Sequence, residues 1–125
     1  MILVIGGEGS GKRSFVRGLG YADKDMADAV MDERPVIFHL EQLVARAPEG
    51  ADELAERLLE KDIVICDEVG SGVIPVERAE MVARESTGRL CILLAKHAEA
   101  VVRMVCGIPA VIKGTLEPRE TPERG

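Results

Sequence analysis

The sequence predicts an α/β protein in which a small, mainly parallel sheet is flanked by helices, and three observations carry that prediction. Residues 2–5 and 63–66 are apolar at every position, as strands buried on both faces of a parallel sheet must be. Each run leads into a segment that bears chemistry, GGEGSGK after the first and DE after the second. The 125-residue chain is 46% apolar but has only three aromatic residues, Phe15, Phe38 and Tyr21, so its core must be assembled from Val, Ile, Leu, Met and Ala. That length suits one domain with a real core and is short for two. We expect the domain over residues 1–114 and a mobile tail over residues 115–125, where prolines and charges dominate.

Taken in order, the strand at 2–5 passes through the glycine-rich segment into a short helix over 12–19, which Gly18-Leu19-Gly20 ends. Residues 21–35 are polar, with Met26, Ala29 and Val30 at helical spacing and Pro35 as a stop, and this predicts a second short helix. Residues 36–46 read two ways. Val36-Ile37-Phe38 suits a strand, whereas Val36, Leu40, Leu43 and Val44 fit a helical face better. After Pro48 and Gly50, ADELAERLLEKD sets Leu54, Leu58 and Leu59 opposite its charges, as a surface helix does. Residues 62–70 hold the second strong strand. A long helix is expected over 76–98, after Pro75 and despite Gly88, although RLCILLA also suits a strand. Residues 100–107 give a third strand, and PAVIKG a short fourth one after a turn at Gly107 to Pro109. Met26, Met31, Met81 and Met104 are read as core residues.

The spacing Gly6, four residues, Gly11, Lys12 is that of a phosphate-binding loop. Small residues let the backbone N–H groups of Gly6, Gly7, Glu8, Gly9, Ser10 and Gly11 converge on a phosphate, and Lys12 adds a point charge for the distal phosphates. The next residue should carry a magnesium-binding hydroxyl, but it is Arg13. Ser14 comes one residue late, turned by about 100° around the helix. Arg13 is either a surface charge or a guanidinium that replaces part of the charge of the metal. Nucleotide binding, to GTP or ATP, is therefore better supported than phosphoryl transfer. Asp67 and Glu68 end an apolar strand, where P-loop proteins hold Mg2+ and open α/β sheets gather ligands, so both are metal candidates. Either acid could instead cap the next segment or face solvent.

A net charge of −6 argues against nucleic-acid or acidic-membrane partners and for a small ligand. Cys66, Cys91 and Cys106 lie in apolar runs without metal or disulfide spacing and read as buried, reduced thiols. The start MILVIGG lacks a basic leader, and no run approaches a membrane span, so a cytoplasmic protein is expected. His97 sits where a helix C-terminus favours a cation.

Three stretches resemble the adenosylcobinamide kinase and adenosylcobinamide-phosphate guanylyltransferase family of cobalamin biosynthesis. These are MILVIGGEGSGKRS, then DEVGSGVIPVERAEMVARESTGRL, which is the most specific, and the ending VVRMVCGIPAVIKG. The resemblance implies a P-loop α/β fold and a homo-oligomer. It implies that GTP or ATP phosphorylates adenosylcobinamide, and that GMP then passes to adenosylcobinamide phosphate through a guanylylated histidine. It also implies that residues 76–98 are helical and that Glu68 and Gly70 lie near the nucleotide. The chain departs from the family in being shorter through the middle. No second strand fits between Gly20 and Asp23, the histidine-bearing turn before Arg34-Pro35 is missing, and so is a strand with an acid and a Thr before residue 62. His39 is the nearest imidazole to the lost nucleophile and is the catalytic candidate beside Lys12. Glu41 resembles the family's acidic residue after the Arg-Pro segment and is a nucleotide-binding candidate. The alternative is a catalytically degenerate nucleotide-binding paralogue with a regulatory or partner-binding role.

Overall fold

In the computed structural model, which describes residues 1–68 and 77–116, six strands form one sheet in the order β2-β3-β4-β1-β5-β6. The strands are β1 (Ile2–Gly6), β2 (Met26–Asp28), β3 (Val36–Phe38), β4 (Ile63–Asp67), β5 (Ala100–Val105) and β6 (Ile108–Lys113). The first five run parallel and β6 is antiparallel to β5. The helices are α1 (Lys12–Gly18), α2 (Leu40–Arg46), α3 (Ala51–Leu59) and α4 (Arg78–His97).

Alternation along the central strands divides the core into two layers. Leu3, Val64, Cys66 and Val101 pack with Leu40, Val44, Leu58, Leu90 and Leu94 of α2, α3 and α4. Val4, Ile63, Ile65, Val102 and Met104 face the other way, against Val16 of α1 and with Phe15, Leu19 and Tyr21 at the margin. Strands that are apolar throughout serve both layers, which is why no alternation shows in their sequence.

Several expectations need correction. The helix expected over 21–35 is absent: Asp23–Asp25 is a single 3-10 turn, and Met26–Asp28 is a strand. Met26 and Ala27 are successive residues that are both buried, as happens in a strand covered on two faces, and the spacing of Met26, Ala29 and Val30 only imitated a helix. The second strand thus exists, but beyond the Gly20–Asp23 gap where it was thought to have no room. Residues 36–46 turn out to contain both alternatives, a strand to Phe38 and a helix from Leu40, joined at His39 in the left-handed conformation with φ 57°. The three thiols are free, yet only Cys66 is buried, and Cys106 is exposed. Cys106 and Gly107, with φ of 50° and 78°, form the two-residue turn between β5 and β6, which takes its side chains out of the core. A hydrogen bond with Cys91, then burial, raises the pKa of Cys66 well above the usual thiol range. Met26 and Met104 are core residues and Met31 packs at its edge, whereas Met81 is exposed. Gly70 and most of the expected tail lie outside the described residues.

The long helix is continuous through Gly88 and buries Ser86, Thr87, Leu90 and Leu94 on one side. A Cβ added at Gly88 would meet nothing within 4 Å. Gly88→Ala is therefore expected to raise stability by about 0.5–1 kcal/mol, since it removes backbone entropy from the unfolded chain without a steric cost. Chemical denaturation should show an unchanged m-value and a higher midpoint.

Candidate functional site

Gly6 is in register with Asp67 on one side and Met104 on the other, so the loop after β1 emerges at the carboxyl edge of the sheet, between its two neighbours. The helices that follow the adjacent strands β1 and β4, α1 and α4, cover opposite faces of the sheet, which marks the place where ligands of open α/β sheets bind. The loop folds back through Ser10 N–H donating to Gly7 O at 3.2 Å. Gly9 and Gly11 have φ of 75° and 93°, conformations that suit glycine. The turn between β5 and β6 braces the loop from behind, with Gly107 N–H donating to Ser10 O at 2.9 Å.

Close approach explains Gly6. A Cβ there would lie 2.6 Å from Ser10 Oγ and 2.7 Å from the backbone oxygen of Met104. Ser10 can rotate away, but a central strand cannot move so freely. Gly6→Ala is expected to destabilise the fold by about 1–3 kcal/mol, readable as a lower melting temperature, with nucleotide affinity weakened in parallel.

Lys12 opens α1 and is buried, with 7% exposure. Its ammonium donates to Gly7 O at 2.6 Å, lies 3.4 Å from Ser10 Oγ, and pairs with Asp67 Oδ1 at 2.7 Å. The loop lysine and the acid at the end of β4 are thus joined directly. Glu68 behaves differently. Arg103 of β5 grips its carboxylate at 2.7 and 3.1 Å, and this hydrogen bond raises the pKa of the guanidinium.

A cavity of about 450 Å³ opens in front of the loop. Glu8, Gly9, Ser10, Gly11, Lys12, Arg13, Ser14 and Arg17 line it from the loop and α1, and Phe38, His39, Ile65 and Asp67 from the strands β3 and β4 and the residue after β3. Arg13 places its guanidinium 4.6 Å from the centre of the Phe38 ring, a cation–π contact at the cavity wall. Ser14 is exposed at the same opening. His39 Nδ1 lies 2.8 Å from Asp28 Oδ1. Glu41 lies on the first turn of α2, where its Oε1 accepts the Asp67 N–H at 3.0 Å. Glu41 therefore helps set the end of β4.

Of the residues singled out in the sequence, Glu8 to Ser14, His39 and Asp67 converge on one cavity, with Gly6 and Gly7 leading into the loop and Glu41 tied to Asp67. Glu68 turns toward β5. Sequence reasoning overlooked Asp28, Phe38, Ile65, Arg17 and Gly107. The short β2 hid Asp28 inside an expected helix, and Phe38 and Ile65 read only as strand residues. Gly107 carried a signal in its Gly-Ile-Pro context, without indicating that it touches the loop.

A glycine-rich loop at the carboxyl edge of a parallel sheet, its lysine set against an acid from the adjacent strand, defines an α/β nucleotide-binding architecture. The chain belongs to the cobinamide kinase / cobinamide phosphate guanyltransferase family, which it matches over residues 26–112. That family comprises nucleotide-using transferases of cobalamin biosynthesis. The match begins after the glycine-rich loop, so the case for Gly6–Lys12 stands on its motif and geometry. No curated protein matches the chain. Among the described residues, no helix is long and apolar enough to cross a membrane.

Proposed function

We propose that the chain binds the phosphates of GTP or ATP on Gly6–Lys12 and transfers the γ-phosphoryl group to the hydroxyl of adenosylcobinamide. The observation that carries this reading is the convergence of Lys12, the loop glycines and Asp67 at a cavity large enough for a ligand. Phosphoryl transfer passes through a loose transition state and asks mainly for positioning and charge. Lys12 supplies charge at the distal phosphates, and Arg13, on the first turn of α1, adds a second cation at the opening. Exchange of its Asp67 partner for phosphate costs Lys12 little, because both are anions.

Magnesium is the cation that the P-loop pattern implies, and Asp67 is the acid that would hold it. The fit is incomplete, since Arg13 replaces the hydroxyl that should share the metal. No step is assigned to magnesium on this account. Guanylyl transfer to adenosylcobinamide phosphate is the less supported half of the family's chemistry. His39 is the imidazole that lines the cavity, but it comes from a different segment than the family's lost turn.

Incubating the protein with GTP labelled at the α- or γ-phosphate, a divalent cation and adenosylcobinamide tests the proposal. Label from the γ-position should appear on cobinamide and label from the α-position should not. Nucleotide binding with no transfer of either label would refute catalysis and favour the degenerate, partner-binding alternative.

A further inference from the structure

His39 and Asp67 on the cavity wall, with Glu41 beside them, make a donor set that the magnesium pattern does not explain. We propose that His39, Glu41 and Asp67 form a binding site for a divalent cation of the zinc class, one that takes an imidazole nitrogen beside carboxylate oxygens. One ligand atom from each residue lies within 4.8 Å of the other two. Small side-chain rotations would bring such a set around an ion with bonds of about 2.0–2.2 Å. The three donors come from the β3–α2 junction, the first turn of α2 and the end of β4. Such a site has no short sequence signature.

An independent observation lies behind the imidazole. Nδ1 of His39 is held by Asp28 at 2.8 Å, which leaves Nε2 as the open donor. A metal-binding histidine commonly gives its other ring nitrogen to a carboxylate, which fixes the ring and raises its basicity. The backbone is committed as well. His39 is held at φ 57°, an unfavourable conformation that the surrounding structure must maintain, and the Asp67 N–H fixes Glu41. Magnesium prefers an octahedron of oxygens and keeps several waters. A nitrogen donor shifts the preference toward zinc-class ions.

Lys12 and the cation share one carboxylate, since Lys12 pairs with Asp67 Oδ1. A triphosphate that draws the ammonium toward itself releases that oxygen, so nucleotide and cation are expected to strengthen each other's binding. The site does not depend on the nucleotide for its existence. Its test can therefore be run without one.

Cobalt(II) chloride serves as the optical probe, in protein carrying Cys106→Ser so that the exposed thiol does not compete. A visible absorption band should saturate at one equivalent, vanish with equimolar Zn2+, and survive a tenfold excess of Mg2+. His39→Asn, chosen because asparagine tolerates left-handed backbone, and Glu41→Gln should each weaken Co2+ binding by more than about tenfold, and Asp28→Asn by about tenfold. Absence of a saturable band, displacement by Mg2+ as readily as by Zn2+, or unchanged affinity in both ligand variants would overturn the proposal. Nucleotide affinity measured in a metal chelator reports on the loop separately, so failure of one reading leaves the other identifiable.

Discussion

Replacing Lys12 by alanine is expected to weaken GTP or ATP binding by about 30- to 150-fold, the effect of losing a charge-assisted hydrogen bond of about 2–3 kcal/mol. The reasoning rests on where the ammonium lies. It is nearly buried and gathers Gly7 O, Ser10 Oγ and Asp67 Oδ1, so it already spans the space between loop and acid. Truncation removes the cation and also leaves the Asp67 carboxylate without its partner. That uncompensated negative charge repels phosphate, which adds to the loss. Lys12→Arg should recover only part of the affinity, because a planar guanidinium does not reproduce a compact ammonium in a closed space. Isothermal titration of both variants measures the difference, and equal affinities for wild type and Lys12→Ala would show that the loop does not hold the phosphates.

Leu94→Ala is expected to cost about 2–5 kcal/mol, a large share of the about 5–15 kcal/mol that holds a domain together. Leu94 is fully buried where α4 covers the sheet, in the layer formed by Leu3, Val64, Val101 and the helices α2 and α3. The buried face of α4 is otherwise modest, with Ser86 and Thr87 beside Leu90 and Leu94, and Thr87 satisfies its hydroxyl on Ala83 O at 2.8 Å. Leu90 and Leu94 are the fully buried apolar side chains of this 20-residue helix, with Cys91, Leu93 and Ala95 packed less deeply beside them. Urea denaturation should give a midpoint well below that of wild type. The exposed Ile92→Ala, in the same helix, should change it little.

The same helix shows what a sequence can and cannot disclose. Pro75 marks its start, but periodicity leaves RLCILLA open between helix and strand, and it is the family resemblance that implies a helix over 76–98. The central strands were readable because burial on both faces requires an apolar residue at every position. Residues 21–35 were misread because a three-residue strand is shorter than one period of any helical test, so Met26, Ala29 and Val30 satisfied the wrong pattern. His39 could not be resolved at all from its neighbours, since the switch from strand to helix occurs in one residue with positive φ. The loop and Asp67 could be paired in advance because adjacency of β1 and β4 follows from the architecture. The contacts of Glu68 with Arg103, of His39 with Asp28 and of Gly107 with Ser10 join positions far apart in the chain. No local pattern encodes such pairs.

The central claim is that main-chain amides following β1 hold the phosphates of a nucleotide, and amide-resolved nuclear magnetic resonance during titration with GTP and with ATP tests it most directly. The account predicts the largest shifts at Gly7 to Arg13, with a smaller response at Asp67 and Gly107 and almost none along β6. Shifts centred away from the loop, or no saturable change with either nucleotide, would contradict it.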